Sequence, residues 1–198
     1  MAARLSIIVP THDGDGLDRL FESVEDQLQP GDEVLIIGDI YGDALAGGKS
    51  PFNGYMVDHS PQAGVYRWMA HDAGHHCWGH CQINYGITQA RGDYLIFIDD
   101  DDCVPGGALD SIRRAIAEQV EPRPLMFKFW SRRHNTYLPQ GHYIRESAIG
   151  GHAMVVPNVP ERLGTWACRY AGDYDWIVST VALWPSGVAW YDDVIACA

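Results

Sequence analysis

Four aspartates in succession, Asp99, Asp100, Asp101 and Asp102, are the residues whose type and spacing most directly imply chemistry. Unit charges about 4 Å apart repel by roughly 4 kcal/mol at an effective dielectric near 20, so such a run is costly wherever it is even partly buried. A divalent cation offsets that cost, and hard carboxylate oxygens select Mg²⁺ or Mn²⁺ over zinc. An ion held by few protein ligands completes its shell with water and substrate phosphates. The chemistry expected is therefore metal-assisted handling of a phosphate-bearing ligand. A solvated acidic turn is the plain alternative, but a turn gains nothing from four like charges in a row.

The elements that must position this run are legible as apolar segments. Leu5-Ser6-Ile7-Ile8-Val9, Glu33-Val34-Leu35-Ile36-Ile37 and Tyr94-Leu95-Ile96-Phe97-Ile98 are nearly continuous and rich in β-branched residues, as parallel strands buried on both faces are. Between the first two, Leu17, Leu20, Phe21, Val24 and Leu28 mark one helix face, with Asp13 or Asp15 as N-cap and Pro30-Gly31 as the stop. The spacing predicts further helices from about Gln82 to Ala90, through Leu109, Ile112, Ile116 and Val120, and through Trp176, Ile177, Thr180, Val181 and Trp184. Leu125–Trp130 reads as a strand, Thr136-Tyr137-Leu138 and His142-Tyr143-Ile144 as a hairpin about Pro139-Gln140-Gly141, and Val188–Trp190 as a closing strand. Strands alternating with helices predict an α/β sheet. At 198 residues the chain fits one domain. The glycine-rich stretch 40–78 is expected to be a loop.

In open α/β sheets ligands bind beyond the carboxyl ends of the strands. Those ends are polar here: Pro10-Thr11-His12-Asp13, Gly38-Asp39 and the aspartate run. No G-x-G-x-x-G and no G-x-x-x-x-G-K-[ST] follows the first strand, and Asp13-Gly14-Asp15-Gly16 is too short and acidic to cradle phosphate. Dehydrogenases, P-loop enzymes and sugar-nucleotide pyrophosphorylases are thereby disfavoured. A formal charge of −12 argues against binding to nucleic-acid backbones, and the basic group Lys128, Arg132 and Arg133 reads as a solvated face. Five cysteines without a secretory signal argue against a disulfide framework and for a cytoplasmic, soluble protein. No apolar run approaches the roughly 18 residues of a membrane span.

Taken together, these segments resemble the inverting family 2 glycosyltransferases of GT-A fold. The segment Asn84-Tyr85-Gly86-Ile87-Thr88-Gln89-Ala90-Arg91-Gly92-Asp93-Tyr94, continuing through the third apolar run to Asp102, is similar to that family's N-x-G-I-x-x-A-x-G-x-Y-[apolar]-D-x-D stretch. The likeness is good over roughly residues 4–120 and looser beyond. It implies a mixed sheet flanked by helices, with a small hairpin and acceptor region after the D-x-D strand. Residues 1–120 would be the nucleotide-sugar-binding half and 121–198 the half carrying acceptor site and catalytic base. It further implies that Pro10 and Thr11 border the nucleobase, that Asp39 bonds the base or ribose, and that Asn84, Asp99 and Asp100 belong to the cofactor-binding set. Asp99 and Asp101 would be the D-x-D metal pair for Mn²⁺ or Mg²⁺, although a one-residue slip gives a second such pair. The donor implied is a nucleoside-diphosphate sugar, most commonly a uridine diphosphate sugar. In the family the base lies near the start of a late helix; Asp173 takes that place here, with Asp175 second, and the family's glutamate is missing. Both aspartates also suit an N-cap of the Trp176 helix.

Two other readings stay open. His71-Asp72-Ala73-Gly74-His75-His76-Cys77-Trp78-Gly79-His80-Cys81 is dense in zinc ligands, yet no second pair completes a known spacing; Trp78-Gly79-His80 instead suits a loop that positions nucleotide or sugar. The chain could also be a glycosyltransferase-like module that binds nucleotide or glycan without turnover, with a second copy or a partner subunit completing the acceptor site. Nothing in the sequence names the acceptor, and a nucleic-acid acceptor is disfavoured by the acidic balance.

Overall fold

The computed structural model describes residues 2–12, 14, 16–39, 64–71 and 77–198. The apolar runs become strands β1 (Leu5–Thr11), β2 (Asp32–Asp39) and β4 (Tyr94–Phe97), every residue of which is buried. With β3 (Gly64–His71) they lie parallel in the order β3-β2-β1-β4. Burial on both faces explains why these runs do not alternate in polarity. Each fully buried Ile or Leu contributes about 1.5–3 kcal/mol of transfer free energy.

The sheet then turns mixed. One edge of strand β5 (Leu125–Ser131) pairs with β7 (Met154–Pro157) at Leu125 and Met126 and with β6 (Thr136–Leu138) from Phe129 to Ser131, and β7 joins β4 antiparallel. Strand β8 (Ala189–Cys197) pairs parallel with β5. Among the described residues four helices flank the sheet: α1 (Leu17–Val24), α2 (His80–Gln89), α3 (Ala108–Ala117) and α4 (Gly172–Ala182). Helix α1 buries Leu17, Leu20 and Val24, the i, i+3, i+7 stripe of an amphipathic helix. Gly86 lets α2 press onto the sheet, since a Cβ there would lie 2.6 Å from Ile8 Cγ2.

Charged residues pin the end of the sheet away from the ligand edge. Asp32 accepts from the Leu5 and Gln29 amides at 2.9 and 2.8 Å and pairs with Arg113. Glu33 accepts from Ser6 Oγ, Arg67 and the Arg91 amide. Burial pushes the Glu33 carboxyl up, but those three donors outweigh it and hold it below its ordinary value.

Several expectations need correction. Residues 64–71 form edge strand β3 rather than loop; residues 40–63 and 72–76 lie outside the described residues. Thr136–Leu138 pairs with β5 across residues 132–135, where Asn135 has φ 49°, and residues 142–144 form no strand. The hairpin turn is thus Arg132-Arg133-His134-Asn135, because Asn accepts the left-handed conformation that closes it. Helix α3 stops at Ala117 and leaves Val120 exposed. The N-cap of α1 is Gly16, without a side-chain cap; Asp13 and Asp15 lie outside the described residues. Among the described residues no helix is long and apolar enough to cross a membrane.

Candidate active site

The parallel register sets Thr11 beside Gly38 and Ile8 beside Phe97, so the carboxyl ends of β1, β2 and β4 share one edge. A pocket of about 660 Å³ opens there. Pro10, Thr11, His12, Asp99, Asp100 and Asp101 line one side, and Trp78, Gly79, His80, Trp166, Tyr170 and Asp173 line others. Thr11 Oγ1 donates to Asp100 Oδ2 at 2.5 Å, and buried Asp39 lies 3.8 Å from His12 Nδ1. Gly16 is required beneath the aspartate turn, because a Cβ there would fall 2.1 Å from the Asp100 carbonyl oxygen. Gly79, at φ 76°, packs against the Pro10 ring.

Electrostatics single out the two ends of the run. Asp99 is exposed to the pocket; desolvation by the protein around it, then the charges of Asp101, Asp100 and Asp173, push its carboxyl up to about 6. Asp102 is 3% exposed, and burial followed by repulsion from Asp99 and Asp101 pushes it up to about 8 despite Arg132. Arg132 Nη2 donates to Asp102 Oδ1 at 3.0 Å and to the Asp101 carbonyl at 2.9 Å. Asp102 Oδ2 and His152 Nε2 are buried, with no hydrogen-bond partner among the described residues. Burial pushes His152 down to about 4, which leaves a neutral imidazole with a lone pair, the metal-binding form. One ligand atom each of Asp99, Asp102 and His152 lies within 4.8 Å of the others. An ion with bonds of about 2.0–2.2 Å separates its ligands by roughly 3–4.4 Å, so a divalent cation could draw these three residues together with small side-chain shifts.

The start of α4 supplies another part of the lining. Asp173 is partly buried, and burial pushes its carboxyl up although the Tyr174 amide, 2.7 Å away, and His80 draw it back. Asp173 lines both this pocket and a second cavity of about 390 Å³; Tyr170 and His152 are shared as well. Asp175 points elsewhere: Arg169 grips both its oxygens at 2.5 and 2.6 Å and holds it below the usual carboxylate range. Neither aspartate caps the helix, whose N-cap is Ala171.

Asn84 bonds the Trp166 backbone in both directions, at 2.9 and 3.0 Å. Its amide is thereby committed to holding Trp166, which lines the pocket and stacks on Trp176 at 4.6 Å. His80 Nδ1 meets the Ala167 carbonyl at 2.7 Å. Trp78, Gly79 and His80 do line the pocket.

Asp102, His152 and Arg132 were not singled out as a group by sequence reasoning. The glycine pair Gly150-Gly151 before His152 and the apolar run Met154-Val155-Val156 were the signals of a strand end that returns to the sheet beside β4. Contrary to the expectation of reduced cysteines, Cys77 and Cys81 are bonded, with Cα atoms 6.1 Å apart. A bond across the turn that leads into α2 needs no framework.

Residues 80–145 match the family model for glycosyl transferase family 2. Among solved structures the chain is similar to S. aureus TarS, with 15% identity, 98% of this chain and 36% of that one covered, and a TM-score of 0.75. A structure of TarS 1-349 in complex with UDP-GlcNAc gives 14% identity, 98% and 58% coverage, and 0.65. The mannosyltransferase PcManGT from Pyrobaculum calidifontis in complex with GDP-Man and Mn²⁺ gives 15%, 100% and 57%, and 0.60. The chain thus spans between 36% and 58% of these three. No curated protein sequence matches it. This chain has the GT-A fold, a mixed α/β sheet flanked by helices, and the segment bearing its aspartate edge matches glycosyl transferase family 2.

Proposed function

We propose that the chain is a metal-dependent family 2 glycosyltransferase that moves a sugar from a nucleoside-diphosphate sugar to an acceptor hydroxyl with inversion. The observation that carries this reading is one pocket lined by Asp99, His152 and Asp173, with buried Asp102 placing a ligand atom within 4.8 Å of those of Asp99 and His152. The complexes of the neighbours with UDP-GlcNAc, and with GDP-Man and Mn²⁺, support the donor class and the cation.

Mn²⁺ or Mg²⁺ would be held by Asp99, Asp102 and His152, with Asp101 at the pocket side, and when bound supplies neutralisation of the departing diphosphate. Pro10, Thr11 and Asp39 mark the nucleoside end, and Asp100, fixed by Thr11, shapes the floor. Trp78 and Trp166 offer apolar faces to base or sugar. Asp173, partly desolvated and therefore more basic than a solvated carboxylate, takes the proton of the acceptor hydroxyl as it attacks the anomeric carbon. The second cavity ends on Asp173 from the other side and admits the acceptor. Uridine is the first nucleotide to try.

The test is release of nucleoside diphosphate from UDP-GlcNAc and GDP-mannose with and without Mn²⁺. Slow metal-dependent release that Asp173→Asn abolishes supports the enzyme. The family's glutamate is missing at the α4 start, where Gly172-Asp173 stands, and this favours one second reading, a binding module without turnover. Metal-dependent binding of the donor with no release across a broad acceptor panel would establish that instead, and no binding of any sugar nucleotide would sink both.

A further inference from the structure

Three of the five cysteines meet beside the pocket, and the proposed transfer uses none of them. Cys77 precedes α2, Cys81 lies in its first turn, and Cys168 comes from the segment that leads into α4. Their sulfurs all lie within 4.8 Å of one another. Cys77 is buried, Cys81 half-buried and Cys168 exposed. Two are joined as a disulfide; the third belongs to another element 87 residues further along the chain (168 − 81).

We infer that Cys77, Cys81 and Cys168 form a thiol–disulfide exchange site in which the bond moves from the turn that opens α2 to a link between that turn and the segment leading into α4. The Cys168 thiol loses its proton and its sulfur attacks Cys81 Sγ. The Cys77–Cys81 bond breaks, and Cys77 leaves as a thiolate that takes up a proton. Attack at Cys77 Sγ expels Cys81 and links the same two segments. One bond forms, one breaks, and there is no net oxidation, so no outside oxidant is needed.

The product differs in what it constrains. The Cys77–Cys81 bond closes a loop within a single turn, whereas a bond to Cys168 closes a loop of almost half the chain and removes more freedom from the unfolded state. It also fastens the wall carrying Trp78 and His80 to the wall carrying Trp166, Tyr170 and Asp173. Those walls already touch, through His80 to Ala167 and Asn84 to Trp166, so the new bond locks the present geometry. Neither the cluster nor its exchange rests on the proposed glycosyl transfer.

The full chain is incubated at mildly alkaline pH in a glutathione redox series, quenched with N-ethylmaleimide and digested with trypsin without reduction. Trypsin puts Cys77 and Cys81 in Trp68–Arg91 and Cys168 in Leu163–Arg169. The pair Cys103 and Cys197, neighbours across a β-bridge, falls in other peptides. The expected result is Trp68–Arg91 joined to Leu163–Arg169 with a single alkylated cysteine. Cys77→Ser should drive that joined species towards completion and raise Tm under oxidising conditions, and Cys168→Ser should lose it while keeping Cys77–Cys81. Recovery of Leu163–Arg169 only in alkylated form, in the native chain and in Cys77→Ser alike, overturns the inference. Stoichiometric zinc that protects all three thiols until chelation overturns it as well, by assigning the cluster to a metal.

Discussion

At the scale of single residues, the two aspartates of the α4 start divide by environment. Asp173 lines two cavities, whereas Asp175, equally half-buried, lines neither and is spent on Arg169. Asp173→Asn should lower kcat by about 10²–10⁴-fold, the range of a positioned general base, with donor affinity little changed; Asp175→Asn should leave turnover intact. Steady-state kinetics with whichever donor the release assay selects separates them, and equal losses would show that Asp173 has no special role. At the proposed cation site, Asp102 and His152 hold buried atoms without partners among the described residues. His152→Ala should weaken Mn²⁺ binding at least about 10-fold, since even supporting groups of metal sites cost that much. Titration calorimetry with Mn²⁺ alone measures it, and unchanged affinity would return the site to Asp99 and Asp101.

At the scale of elements, the site depends on how tightly the α1 start meets the turn after β4. Gly16→Ala drives a methyl group into the Asp100 carbonyl. Overpacking of this kind costs about 1–3 kcal/mol; here it should also displace the aspartate turn and reduce the Mn²⁺-dependent thermal shift. A normal Tm with a normal shift would show that the turn is pliable. The far end of the sheet is set by Glu33. Its folded-state pKa lies below the ordinary 4.5, so its contribution is fully present above that value and fades as pH falls through the lower one. Glu33→Gln should destabilise by about 3 kcal/mol at neutral pH, as for a buried ion pair losing one partner. Urea unfolding should show the gap between variant and parent narrowing in acid; a gap that is constant with pH would assign the loss to packing.

At the scale of the whole molecule, the pocket draws on nearly every part of the chain, from β1 to α4. Donor binding should therefore stabilise the fold globally. A ligand at 100 times its Kd adds about 2.7 kcal/mol, which for a chain of this size raises Tm by about 5–10 °C. Scanning calorimetry with donor and Mn²⁺ should show that shift as one transition, and a shift without metal would remove the cation from donor binding.

Much of this was written in the local pattern. Leu5–Val9, Glu33–Ile37 and Tyr94–Ile98 announce buried parallel strands because burial on both faces leaves no room for polar alternation. Their polar ends, with the aspartate run, point to the ligand edge before any coordinates exist. Strand β3 was hidden behind glycines, and β7 is too short to show a period. Asp102, His152 and Arg132 could not be joined by inspection, since they come from three separate segments that meet only where β7 returns antiparallel beside β4. The same holds for Cys168 beside Cys77 and Cys81. Local sequence determined β1, β2, β4, α1 and the aspartate-bearing edge, because those follow from the burial of neighbours in the chain. Tertiary structure alone decided which of the acidic, histidine and cysteine side chains converge, because convergence depends on contacts between residues dozens of positions apart.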